Sequence, residues 1–66
     1  MNILVNGAKH DVPEGTTIAQ LLLRLDVPAR AVAVEVNLEV IPRGRHAEHL
    51  LREGDRLEVV SLVGGG

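Results

Sequence analysis

The sequence predicts an α+β domain: a mixed sheet of four to five strands with one main helix laid across one face. Three features point there. Two strand-like runs flank Asn6-Gly7, a capping sequence at Thr17 opens an apolar helical stripe, and β-branched segments fill the rest of the chain up to its closing glycines. The length of 66 residues leaves room for a single domain, because chains near this size bury only about 60% of their unfolded surface. Val, Leu and Ile supply 23 residues, enough for one small core and too many for a disordered chain.

The first element is a hairpin. Asn2–Val5 and Ala8–Val12 are joined by Asn6-Gly7, the dipeptide that best accepts the two positive φ angles of a type I′ turn. Alternation places Ile3, Val5, His10 and Val12 on one face and leaves Asn2 and Asp11 in water. Pro13-Glu14-Gly15 closes this segment. Thr17-Ile18-Ala19-Gln20 is a capping box, with hydroxyl and side-chain amide each reaching the other residue's backbone, so a helix starts there. Ile18, Leu21, Leu22 and Leu25 fall at i, i+3, i+4 and i+7, a single buried stripe opposite Gln20 and Arg24. Leu23 departs from the stripe. Pro28 disfavours helical geometry at Val27, which ends the helix near Leu25 or Asp26.

Ala31–Val36 reads as a strand covered by that helix, with its first charge at Glu35. Asn37-Leu38-Glu39 reads as a turn into a very short strand, Val40-Ile41, which Pro42 ends. From Arg43 to Glu53 the pattern is polar and irregular, with Leu50 and Leu51 as the expected inward anchors. Gly54-Asp55 turns the chain into Arg56–Val63, the clearest strand. Strand, strand, helix, strand, short strand, strand is the β-grasp order, with residues 1–63 as the domain and 64–66 as a flexible C-terminal glycine tail.

Composition excludes several function classes. Without Cys there is neither a disulfide framework nor a thiolate metal site. Without Phe, Tyr or Trp, and with a net charge of -2, the chain lacks the stacking surfaces and basic charge of a nucleic-acid binder. No apolar run approaches the roughly 20 residues that cross a bilayer, and the N-terminus has no basic segment or apolar signal core. A soluble cytoplasmic protein is expected.

Little in the chain supports catalysis. Ser61 is the only serine, it lies within a strand, and no nucleophile elbow surrounds it. Thr16 and Thr17 are explained by capping. Gly7, Gly15, Gly44 and Gly54 are isolated turn residues and build no phosphate cradle. His46 and His49 would share a helix face at i, i+3, but His10 lies in another element and no zinc set is formed, so solvated histidines and no metal are expected. Arg43, Arg45, Arg52 and Arg56 could meet an acidic partner; with Glu48, Glu53, Asp55 and Glu58 beside them, ordinary surface pairing is the commoner outcome.

The tail is different. Gly64-Gly65-Gly66 follows the strongest strand directly, and glycine suits a chain end that must enter a narrow slot. From Val63 onward it reaches roughly 13 Å when extended, enough to bring a terminal carboxylate into another protein's active site. A frayed end or a linker is the competing reading of the tail alone.

These pieces together resemble the ThiS family, the ubiquitin-like sulfur carriers of thiamin biosynthesis. The resemblance rests on Ile3-Leu4-Val5-Asn6-Gly7, on Thr17-Ile18 leading into Leu21-Leu22, and on Ala33-Val34-Glu35-Val36-Asn37 followed by Ile41-Pro42-Arg43. Gly54-Asp55-Arg56-Leu57-Glu58-Val59-Val60 and the closing Val63-Gly64-Gly65-Gly66 complete it. Two positions depart from the family pattern: Leu38, where a smaller or polar residue is common, and His46, where relatives often place an aromatic.

The resemblance implies a carrier that is not an enzyme and binds no cofactor tightly. Gly66 would be adenylated by a ThiF-like adenylyltransferase, similar to ubiquitin-activating enzymes, which consumes the ATP. Sulfur from a cysteine desulfurase would then convert Gly66 to a thiocarboxylate, and a ThiG-like thiazole synthase would receive the sulfur. Gly64 and Gly65 would thread the tail into the partner's active site. The alternatives are another β-grasp sulfur carrier (a molybdopterin synthase small subunit or a tRNA thiolation carrier), a ubiquitin-like protein modifier, or a plain β-grasp interaction module with an inert tail.

Overall fold

The computed structural model describes residues 1–62. Strands β1 (Asn2–Val5) and β2 (Ala8–Asp11) form the expected hairpin, in register from Asn2 opposite Asp11 to Val5 opposite Ala8. Asn6 at φ 50° and Gly7 at φ 82° make the two-residue turn, both in the left-handed region that a type I′ turn requires. β2 stops one residue short of Val12, whose N–H still donates to the Met1 carbonyl at 2.9 Å. Ile3, Val5 and Val12 are buried and His10 is half-buried, as the alternation requires.

Helix α1 (Ile18–Arg24) begins with both bonds of the capping box: Gln20 N–H donates to Thr17 Oγ1 at 3.2 Å, and Thr17 N–H to Gln20 Oε1 at 2.9 Å. The amides of Ile18 and Ala19 donate to the carbonyls of His49 and His46 at 3.1 and 3.0 Å. The first-turn donors that a helix cannot satisfy internally are thus taken up by the cap and a neighbouring loop. At the other end Leu25 is the cap and Asp26 adopts φ 58°. Val27 N–H donates to Leu22 O at 2.9 Å and Asp26 N–H to Leu23 O at 3.1 Å, the two bonds of a Schellman closure. Ile18, Leu21 and Leu22 are buried and Leu25 is half-buried, whereas Leu23 is exposed.

Strands β3 (Val32–Val36), β4 (Glu39–Ile41) and β5 (Arg56–Ser61) complete a five-stranded mixed sheet in the order β2-β1-β5-β3-β4, with β1 and β5 parallel and the other pairs antiparallel. Three boundaries differ from the sequence reading. Ala31 belongs to a 3₁₀ turn over Ala29–Ala31, its N–H bonded to the Pro28 carbonyl at 3.0 Å, so β3 starts at Val32. The turn after β3 is only Asn37-Leu38, and Glu39 already pairs with Val36. β5 ends at Ser61; Val63, expected in the strand, lies outside the described residues together with the whole glycine tail.

Leu50 is not an inward anchor: it is 57% exposed, whereas Leu51 is 4% exposed. The segment runs strand-like beside the helix start, with Leu50 bridging Thr17 and Leu51 N–H donating to Thr16 O at 2.9 Å. Successive side chains of an extended chain point to opposite sides, so only one of the two can enter the core. That core gathers Ile3 and Val5 from β1, Ile18, Leu21 and Leu22 from α1, Val34 and Val36 from β3, Ile41 from β4 and Leu57 from β5, with Val12 and Leu51. No helix among the described residues is long and apolar enough to cross a membrane.

Candidate functional site

Gly64, Gly65 and Gly66 lie outside the described residues; what the structure positions is the point from which they depart. β5 is the middle strand of the sheet, flanked by β1 and β3. Its last paired residue, Ser61, stands opposite Val32, and Leu62 N–H donates to Ala31 O at 2.8 Å. The chain is therefore held by backbone bonds through residue 62.

Asn6 secures the same strand from the other side. Its N–H donates to Leu57 O at 2.9 Å, its side-chain oxygen accepts from Val59 N–H at 2.8 Å, and its Nδ2 donates to Val59 O at 3.1 Å. β1 pairs with β5 only at Leu4 and Val5, so the Asn6 amide continues the ladder where the backbone turns away. At the start of β5, Asn37 does the same: its N–H donates to Arg56 O at 2.8 Å and its Oδ1 accepts from Arg56 N–H at 3.0 Å. Its Nδ2 donates to Asp55 Oδ1 at 3.0 Å. Sequence reasoning assigned both asparagines to turns and missed these clamps. The available signal was Asn, in place of glycine or aspartate, at the first position of each turn.

The other candidate groups are dispersed. His46 is not solvated; it is 3% exposed, with Nε2 3.0 Å from the Ile41 carbonyl. Since a carbonyl only accepts, Nε2 carries the proton, and the buried Nδ1 has no partner among the described residues. The backbone explains the burial: a 3₁₀ turn over Arg43–Arg45 leads into His46, whose own carbonyl accepts from the helix at Ala19. His46 and His49 lie in a turn segment and share no helix face. Among the described residues no three His, Cys, Asp or Glu side chains gather as a metal site would need.

The four arginines are exposed. Surface pairing holds for one of them: Arg45 approaches Glu48 at 3.8 Å, and no ion pair among the described residues involves Arg43, Arg52 or Arg56. Thr17 caps the helix as expected. Thr16 does not; its hydroxyl donates to the Pro13 carbonyl at 2.7 Å and closes the preceding turn. The sheet and helix thus supply a rigid mount for the strand that leads to the tail.

Comparison with known proteins agrees with this architecture. The chain matches the ThiS family over residues 2–66. It is 30% identical over 66 residues to the sulfur carrier protein ThiS of Escherichia coli (strain K12), covering all of both chains. Thiazole synthases of Paramagnetospirillum magneticum and Magnetococcus marinus are 39% and 42% identical to it over 66 residues, and the chain spans 20% of the length of each. The crystal structure of the thiamine biosynthesis protein ThiS of Geobacter metallireducens is 36% identical, superposes with a TM-score of 0.86 and is covered, like this chain, over 100% of its length. A β-grasp body whose central strand leads into three glycines, together with these matches, shows that the chain belongs to the ThiS family.

Proposed function

We propose that the chain is a sulfur carrier of thiamin biosynthesis, adenylated and then thiocarboxylated at Gly66, and that its body is a docking handle without catalytic residues of its own. The observation that carries this reading is the continuity from β5 into the tail. The backbone is bonded through Leu62, and the family match runs on through residue 66. Side-chain-free residues then let Gly66 approach a reacting centre closely.

In this reading a Gly66 carboxylate oxygen attacks the α-phosphorus of ATP on a ThiF-like adenylyltransferase, and pyrophosphate leaves. The acyl adenylate is open to sulfur nucleophiles. The terminal sulfur of a persulfide, supplied through a cysteine desulfurase, attacks the carbonyl carbon and AMP leaves; a second thiol then breaks the S–S bond, leaving the thiocarboxylate. The ThiG-like thiazole synthase takes the sulfur. Binding energy from the body, remote from the reacting carbon, positions the end for each step. Support for the last partner comes from the two thiazole synthases that contain a stretch similar to this entire chain.

The test is the intact mass of the protein after incubation with the adenylyltransferase, ATP, the desulfurase and cysteine. One oxygen replaced by sulfur at Gly66 is expected, and a variant lacking Gly66 should show no change while melting at the same temperature. A mass unchanged in the full chain would overturn the reading.

A further inference from the structure

The Asn6-Gly7 turn places two groups that can react with each other side by side. The side-chain carbonyl carbon of an asparagine lies within ring-closing reach of the next backbone nitrogen. Closure is fast only when that next residue is glycine, which has no Cβ to block the approach. Both residues of this turn are exposed, and the space where a Cβ would stand on Gly7 is empty to 4 Å, so water and base reach it freely. The Gly7 N–H donates to no group among the described residues. The other two asparagines are each followed by a bulky side chain, Asn2 by Ile3 and Asn37 by Leu38.

Against this reactivity stands the grip on Asn6. Its Oδ1 accepts from Val59 N–H at 2.8 Å and its Nδ2 donates to Val59 O at 3.1 Å. Both amide atoms, and the carbon between them, are thereby turned to β5. For the Gly7 nitrogen to reach that carbon, the side chain must first let go of Val59, at the expense of two hydrogen bonds. The fold depends on the same two bonds. β1 pairs with β5 only at Leu4 and Val5, so no further residue of β1 stands ready to take the Val59 N–H and carbonyl if the amide is lost.

We propose that Asn6 is a site of spontaneous covalent modification, a deamidation that the Val59 clamp holds back and that, once it has occurred, loosens β5 from the hairpin. The Gly7 nitrogen attacks Asn6 Cγ and its proton passes through water to Nδ2. The N–Cγ bond forms, the Cγ–Nδ2 bond breaks, and Nδ2 leaves as ammonia. Water then opens either carbonyl of the cyclic imide, so one water enters for each ammonia lost and no oxidant or cofactor takes part. Opening at one carbonyl leaves aspartate, with a carboxylate oxygen where Nδ2 faced the Val59 carbonyl, two acceptors in contact. Opening at the other leaves isoaspartate, whose backbone runs through the former side chain and adds an atom to the tight link between the paired Val5 and Ala8. Either product weakens the hold on the central strand. Whatever opens β5 at Val59 frees Asn6 to react, and whatever holds β5 protects it.

The experiment incubates the full chain at mildly alkaline pH, folded in buffer and unfolded in urea, and follows deamidation by peptide mass and by enzymatic labelling of isoaspartate. Modification is expected at Asn6 ahead of Asn2 and Asn37. It should be slower in the folded chain by about 5–30-fold, the population ratio set by two hydrogen bonds of ordinary net worth. At urea concentrations below the unfolding transition, the rate should rise in step with amide exchange at Val59. The deamidated chain, separated by its added negative charge, should melt below the parent and exchange the Val59 amide faster. Reaction first at Asn2 or Asn37 would overturn the site. Equal rates at Asn6 in the folded and unfolded chains would overturn the protection by Val59, and a deamidated chain that melts with the parent would overturn the loosening of β5. None of these readouts depends on sulfur transfer.

Discussion

Asn6 and Asn37 sit at φ 50° and 51°, the first positions of two hairpin turns, and each turns its side-chain amide onto β5. Asparagine tolerates the left-handed region better than other side chains, and its amide offers a donor and an acceptor spaced like those of a peptide group. One residue type therefore meets two demands, and the pair grips the central strand at Arg56 and at Val59. Glycine at position 6 would keep the turn and lose both Val59 bonds. At about 1 kcal/mol per bond, Asn6→Gly is expected to cost about 1–2 kcal/mol and to speed amide exchange at Val59. Asn6→Asp keeps the acceptor for Val59 N–H but sets a carboxylate oxygen where Nδ2 faced the Val59 carbonyl, two acceptors in contact, and should cost at least as much. Urea denaturation and hydrogen exchange check both.

Helix α1 has 7 residues, too short to persist by itself, since isolated helices below about 12 residues are marginal in water. Its closures and its buried stripe hold it. Thr17→Ala removes the acceptor for Gln20 N–H and should cost about 1 kcal/mol, a fall of about 4–8 °C in a melt of a domain this small. The features that act locally were legible in the sequence: the Asn6-Gly7 turn, the Thr17/Gln20 box, the Leu21-Leu22 stripe and the β-grasp order all follow from neighbours within a few residues. What was not legible is the stretch from Arg43 to Glu53. His46 is buried because the Ile41 carbonyl and the Ala19 amide receive it, and Leu51 is chosen over Leu50 by its pairing with Thr16. Such partners lie 5 to 35 positions away and leave no periodicity to read. Of the candidate site, glycine content pointed to the tail, while the asparagine clamps behind it were invisible until β1, β3 and β5 were placed side by side.

At the scale of the molecule, every buried apolar side chain among the described residues lies between Ile3 and Leu57. β5 links that core and the tail: Leu57 is 1% exposed in the core, and five residues later the chain makes its last described bond at Leu62. The two parts should respond oppositely to change. A domain of this size has a total stability of about 3–10 kcal/mol, and Leu57→Ala, by opening a cavity beneath the helix, should remove about 2–5 kcal/mol of it. A chain ending at Leu62 keeps every buried apolar side chain among the described residues and should melt within about 4 °C of the full chain, since changes away from packed features fall within about 0.5 kcal/mol. Sulfur transfer should show the reverse sensitivity at low temperature: absent in the truncated chain, and retained by Leu57→Ala in proportion to its folded fraction. Thermal melts beside intact-mass assays at 10 °C and 37 °C measure both. A truncated chain that melted well below the full one would mean that residues 63–66 belong to the fold, and the separation of handle from reactive end would fail.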